Sequence, residues 1–481
     1  MLRAGPRLRR RAPFVSAALS AVAAAVTAFS AAATAATGVS VSPTPVSWTP
    51  TLATSGTDGT VEQIRQVVQC GGTMYAVGRF TSIAQNGVTY ARNNAFSFSA
   101  TSGALNSWSP NVNGQVDSVA LSTDCSTAYL GGAFSSVSGT AVTNIASVST
   151  ATAAVNTSFA HAANKEVEAL LLVPGPHLLV GGYFTTLNNS THKYLASLNP
   201  ASGADDGYVN LNISGNYSYT DDGGNVAKPN PTRVYNYSLS PNKSRLLVMG
   251  DFTSVGGLGR QQIFMLDLGA SATKVDPWYS AEFNGHCASV EPFYLQDASW
   301  APDESKVYTV ATGYKPANGS GYVKTNPRTG LCDAAAAFPT TANSYLTHAW
   351  VNYTGCDTLF STAADAGAVY VGGHERWLDN PSGCDTFLAS GASRTDSPGM
   401  GGIDPVSGKA ILDGKGINTA TGDLVDKYSR GRGLGADDML LTSAGLWIAS
   451  DNAQNTDGCG KTATGATSYK HSGLCFLPYA G

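Results

Sequence analysis

Charge is the scarcest commodity in this 481-residue chain: Asp, Glu, Lys and Arg together make up 13% and the formal net charge is −4, where about 25% charged residues is usual. No basic stretch suits nucleic acid, and no cationic face suits an anionic membrane. Long apolar runs are also missing beyond the first 33 residues, which excludes a helical membrane anchor there. Helical periodicity is hard to find anywhere in the chain. The familiar catalytic signatures are absent as well. No Gly-x-Ser-x-Gly elbow occurs, and Gly460-Lys461-Thr462 has Asn455 where a phosphate loop needs its first Gly. His374-Glu375 is followed by Leu378 where a zinc protease helix needs its second His.

What the chain does have is glycine, 53 residues of it, and short apolar runs separated by Ser, Thr and Asn. That is the composition of many short strands joined by turns. One stretch returns along the sequence. Leu130-Gly131-Gly132-Ala133-Phe134-Ser135 is echoed at Gly78-Arg79-Phe80-Thr81, at Gly181-Gly182-Tyr183-Phe184-Thr185 and at Gly250-Asp251-Phe252-Thr253. Looser copies follow at Gly313-Tyr314, at Gly372-Gly373-His374-Glu375-Arg376-Trp377 and at Ser450-Asp451-Asn452. Intervals between the anchor positions run from 50 residues, Phe134 to Phe184, to 77, Glu375 to Asn452. Repeats of this length predict one four-stranded blade each, hence an all-β propeller of seven blades, with six or eight left open because the stretch from Asn343 to Ala364 can be phased in more than one way.

Within a copy, residues 116–121, 128–134, 144–149 and 154–159 are predicted as successive strands. Turns such as Thr101-Ser102-Gly103 and Pro405-Val406-Ser407-Gly408 precede the fourth. The Gly pair is expected where backbones approach closely, and the Phe between adjacent blades. Ser47-Trp48-Thr49-Pro50 matches the fourth-strand segment Ser107-Trp108-Ser109-Pro110, whereas the C-terminal copy has only three strands. The N-terminal strand is therefore predicted to join the last blade and close the ring.

The first 35 residues read as an export signal: Arg3, Arg7, Arg9, Arg10 and Arg11 precede an apolar Ala-rich run and an Ala33-Thr34-Ala35 cleavage site. Residues 36–60 form the N-terminal segment with the closing strand, and residues 61–481 the propeller. A secreted, extracellular monomer is expected. Eight Cys in an exported chain predict disulfides. Eight allow 105 pairings. Cys70 and Cys125 stand at matching positions of adjacent repeats, and Cys287 with Cys332, Cys356 with Cys384 and Cys459 with Cys475 are the favoured remaining pairs.

On the Gly-Gly-x-Phe-Thr core, best seen at Gly131 to Ser135 and Gly181 to Thr185, the chain resembles secreted bacterial propellers of the delta-60 repeat type. The block from Ala368 to Pro381, with Gly445 to Asp451, is similar to one in exported actinobacterial propeller proteins. The resemblance implies the architecture and leaves activity open.

Candidate site residues come from departures from the repeat. His374, Glu375, Arg376 and Trp377 put polar groups where other copies carry small residues and Phe. Arg79 and Asp251 hold the variable position between Gly and Phe, as do Ala133 and Tyr183, and would line a central channel if that position faced it. Asp221-Asp222-Gly223, near Tyr217, Tyr219, Tyr235 and Tyr237, suggests Ca²⁺ only weakly, because the alternating ligands of a calcium loop are missing. The Cys are better spent on disulfides than on zinc, so no resident metal or cofactor is expected. The expectation is a binding or scaffolding propeller recognising a carbohydrate or cell-surface ligand. The alternative is an extracellular glycan hydrolase or lyase using His374, Glu375 and Arg376.

Overall fold

The computed structural model describes residues 40–53, 61–218, 229–284, 287, 293–313, 331–354, 358–380, 394–417, 422–428, 435–451 and 472–479. The export-type stretch, the Asp221-Asp222 loop, Tyr314, Asn452 and the cysteines Cys356, Cys384 and Cys459 lie outside them. Among the described residues the fold is all-β, with sheets that are antiparallel except where Thr395–Asp396 runs parallel to Leu424–Asp426, one short 3-10 turn at Ala281–Phe283 and no α-helix. No helix there is long and apolar enough to cross a membrane.

Seven sheets built on one plan follow one another along the chain, with four smaller ones attached, among the described residues. Their first strands are Gln63–Cys70, Gln115–Leu121, Val167–Val173, Arg233–Leu239, Leu295–Trp300, Leu359–Ala364 and Ala436–Thr442. Each first strand pairs with a second strand, which carries glycine in every sheet but the fifth, and the second pairs with a third. A fourth ladder strand forms in sheets four and five, Thr273–Val275 and Trp350–Tyr353. Elsewhere the predicted fourth strand shrinks to single bridges such as Phe98↔Leu105 and Val148↔Val155. These outer segments are short and turn-rich, which also blunts the sheet edge.

The sheets make contact in cyclic order. The first strand of each lies beside that of the next, and that of sheet seven beside that of sheet one. The cores obey the same order. One apolar cluster joins sheets one and two through Tyr75, Trp108 and Leu130, and another joins sheets two and three through Tyr129, Val167 and Phe184. The last joins sheet seven to sheet one through Trp447, Phe476, Phe96 and Phe98. No sheet of this size buries its apolar faces alone, so each depends on both neighbours. The predicted anchors Phe80, Phe134, Phe184 and Phe252 are all buried in these seams.

The N-terminal segment holds on to the last sheet. Ser42 N donates to Pro478 O at 2.7 Å, Val46 N to Phe476 O at 3.1 Å and Thr49 Oγ1 to Leu474 O at 3.2 Å. Trp48 packs edge-on against Trp447, with ring centroids 5.9 Å apart. An early segment and the final strand thereby share one core.

Two disulfides are formed between predicted partners: Cys70 with Cys125 and Cys287 with Cys332, each with Cα atoms 5.8 Å apart. Cys475 is also disulfide-bonded. The first bridge links sheet one to the turn of sheet two and closes a 55-residue separation. Replacing Cys70 and Cys125 together by Ala is expected to lower unfolding stability by about 4 kcal/mol, the chain-entropy value for a loop of that length. Urea denaturation with an unchanged midpoint would contradict it.

Candidate functional site

Each of the seven first strands breaks register once, at the same place. The ladder of sheet one skips from Ile64 to Gln66, that of sheet two from Val116 to Ser118, and that of sheet three from Val167 to Ala169. The others skip Tyr235, Gln296, Phe360 and Asp437. A bulge bends its strand and re-aims the extra side chain. Arg65, Asp117, Glu168, Tyr235, Gln296, Phe360 and Asp437 all turn up in the wall of one cavity of about 360 Å³. One residue from every sheet therefore meets at a single place.

The Gly pair makes this geometry feasible. A Cβ on Gly182 would lie 2.2 Å from Glu166 O, beside the bulge of its own sheet, and one on Gly181 would lie 2.7 Å from the side chain of Val234 in the next sheet. One glycine accommodates the bulge and the other admits the neighbouring sheet. Gly131 and Gly132 meet the equivalent neighbours.

In six of the seven sheets the residue after the bulge ties its sheet to a neighbour. Ser118 Oγ and Val119 N donate to Gln66 Oε1 at 3.0 and 2.6 Å, and Leu170 N donates to Ser118 Oγ at 2.9 Å. Asn236 Nδ2 donates to Asp297 Oδ1 and Thr362 N to Asp297 Oδ2, both at 2.9 Å. Ser361 Oγ donates to Ala436 O at 2.7 Å, and Val67 N to Asp438 Oδ2 at 2.9 Å, the link from sheet seven to sheet one. Ala169 cannot do this. Between sheets three and four, Arg233 bonds Glu168 at 2.6 Å instead.

Carboxylates outnumber cations in the wall. Asp117, Glu168, Asp251, Asp437 and Asp438 face Arg65 and Arg233. Arg65 pairs with Asp117 at 3.0 Å, and Arg233 with Asp251 at 2.7 Å as well as with Glu168. Burial pushes Asp117 up to about 8 against the pull of Arg65, and Asp437 up to about 8 against a hydrogen bond from Gln63. It likewise raises Glu168 to about 7, despite Arg233, and Asp438 to about 6. Glu168 and Asp251 outweigh burial at Arg233 and hold its guanidinium firmly charged. The Arg233 guanidinium also lies 5.1 Å from the Tyr183 ring and 4.9 Å from that of Tyr235, within cation–π range.

The positions singled out from sequence scatter. Asp251 is fully buried and lines the cavity. Arg79 and Ala133, at the equivalent position, are exposed. The wall is thus built mainly from first-strand bulges, not from the variable position of the second strand. Glu375 takes the anchor position that Phe fills elsewhere and is fully buried. Trp377 is buried between two guanidiniums, Arg376 at 4.5 Å and Arg394 at 3.8 Å from its ring centre. His374 stands edge-on to the bulge residue Phe360, with centroids 4.9 Å apart, so it reaches the neighbourhood of the cavity while Glu375 and Arg376 do not join its wall. Among the described residues no three His, Cys, Asp or Glu are grouped to hold a metal ion.

No family model matches this chain. No curated protein matches it either. Among solved structures it aligns with a hydrazine synthase of Kuenenia stuttgartiensis at 11% identity and a TM-score of 0.45, covering 82% of this chain and 94% of that one. At that level of likeness nothing about activity carries over.

Proposed function

We propose that the seven sheets are the blades of a β-propeller and that the protein is a secreted binding module taking a small polar ligand, a carbohydrate by class, at the axis. The convergence of one bulge residue from every sheet on a single cavity carries this reading. Cyclic packing of the first strands and the seam between sheets seven and one support the propeller. Disulfides support an oxidising, extracellular setting. The wall mixes donors, among them Arg233, Asn230 and Gln296, with carboxylate acceptors and the rings of Tyr235 and Tyr294. Hydroxyl-rich ligands both give and take hydrogen bonds and present apolar ring faces to aromatics.

A glycan array followed by calorimetric titration tests it. The wild type is expected to bind a saccharide, and Gln296→Ala to bind it about tenfold more weakly, a loss of about 1.4 kcal/mol, with an unchanged melting temperature. Absence of any saccharide binding would overturn the reading.

The alternative, a glycan hydrolase or lyase, gains support from Asp117 and Asp437, which burial keeps protonated near neutral pH as a general acid must be. It moves the candidate acid from Glu375 to the cavity wall. Release of reducing ends from the bound saccharide, abolished in Asp117→Asn, is the outcome that would favour it.

A further inference from the structure

We infer that the cavity wall formed by Asp117, Glu168, Asp251 and Asp437 is a subsite for an ammonium group, so that the saccharide taken at the axis is an amino sugar. This rests on the carbohydrate reading above and deepens it.

The argument is one of unmet acceptors. Both guanidiniums in the wall pair with carboxylates, Arg65 with Asp117 and Arg233 with Glu168 and Asp251, and Arg65 Nε is the one buried guanidinium nitrogen there left without a hydrogen-bond partner. Gln63 Nε2 donates to Asp437 Oδ1 at 2.8 Å and leaves the second oxygen. Four buried carboxylate oxygens, Asp117 Oδ2, Glu168 Oε2, Asp251 Oδ1 and Asp437 Oδ2, receive no hydrogen bond from the protein. Asp251 is fully buried and the Asp117 side chain 4% exposed, so bulk water does not serve them freely.

Buried acceptors call for donors, and buried negative charge calls for a cation. An ammonium group supplies both, with three N–H donors on one compact charge. Burial raises the protonation range of Asp117, Glu168 and Asp437, and a cation held beside them would bring it down again. A neutral sugar offers hydroxyl donors but no charge. An acidic sugar would add a further carboxyl to a wall that already holds five acidic side chains.

The test uses three disaccharides of similar shape on the wild-type protein: the glucosamine dimer, its N-acetylated form and cellobiose, with ethanolamine as a bare amine. Calorimetry is run below the pKa of the sugar amine. The glucosamine dimer is expected to bind at least about tenfold more tightly than either neutral sugar, and Asp437→Asn to erase most of that preference. Equal affinities for all three sugars would overturn the ammonium subsite and leave the carbohydrate reading standing. Binding of ethanolamine with no sugar bound would support the subsite and overturn the carbohydrate reading. No binding of any probe would overturn the ammonium subsite and leave the carbohydrate reading to the glycan array. If Asp437→Asn fails to fold, the wild-type series alone decides.

Discussion

Phe184→Ala is expected to destabilise the protein by about 3 to 5 kcal/mol, the cost of removing a fully buried aromatic side chain from a packed seam. Phe184 has no exposed surface and shares its cluster with Tyr129 and Ile145 of sheet two as well as Val167 and Leu170 of sheet three. The void therefore opens at a junction. Neither sheet can collapse into it without dragging the bulges at Asp117 and Glu168 out of place. Urea denaturation should show a lowered midpoint, and an unchanged one would remove Phe184 from the core. Gly182→Ala acts on the same junction by the opposite route, since the new methyl group would lie 2.2 Å from Glu166 O. Overpacking against backbone typically costs about 1 to 3 kcal/mol. Loss of the Phe ring is the larger of the two.

The second large effect is a fall in stability with rising pH. Asp117 and Asp437 are raised to about 8, Glu168 and Asp297 to about 7 and Asp438 to about 6, with burial the leading cause in every case. In the unfolded chain such carboxyls release their protons near pH 4. Between about pH 4 and 8 the folded state therefore holds more protons than the unfolded one, so each step up in pH favours unfolding. The stabilising effect of low pH fades through this window and is spent once the folded carboxyls have ionised. Each net proton contributes a slope of about 1.4 kcal/mol per pH unit. The carboxyls share a wall and influence one another, so one net proton is the conservative expectation between pH 5 and 7.

Carboxyls of the opposite kind do not mask this trend. Backbone bonds from Ser305 and Ser407 lower Asp303 and Asp404, whose contribution is lost only as pH falls below the ordinary carboxylate range. Free energies of unfolding from urea series at pH 5, 6, 7 and 8 are expected to fall steadily. A flat or rising series would show that the wall carboxyls are ionised and well solvated in the fold.

Much of the architecture was legible because it is written in the repeat. The recurring Gly-x-Phe stretch marks the second strand of sheets one to four, and Phe80, Phe134, Phe184 and Phe252 are buried as their spacing implied. The fourth strands were over-read. Alternation in Asn106-Ser107-Trp108 looks like a strand, yet the outer edge keeps only the Phe98↔Leu105 bridge. Glu375 illustrates a limit of a different kind, because a carboxylate in an anchor position reads as an exposed site, while repeat geometry buries it wherever the chain places it.

The cavity was harder to see, since a bulge interrupts the two-residue period that strand reading relies on. A signal was nonetheless present. Arg65-Gln66, Asp117-Ser118, Gln296-Asp297 and Asp437-Asp438 are adjacent polar pairs enclosed by apolar residues inside first strands. In a regular strand one member of each pair would be forced into an apolar seam. The first member of each instead faces the cavity and the second bonds the neighbouring sheet. Sequence cannot say that these four pairs converge with the other three bulges, because convergence depends on cyclic packing of segments hundreds of residues apart.

Hydrogen exchange with and without the saccharide that binds most tightly tests the central claim most directly, that one ligand site is shared by all seven first strands. Slowed exchange is expected across residues 63–67, 115–119, 166–170, 233–237, 294–298, 358–362 and 435–439 together, with the outer strands unchanged. Protection confined to one or two sheets, or lying on the exposed edges, would contradict it.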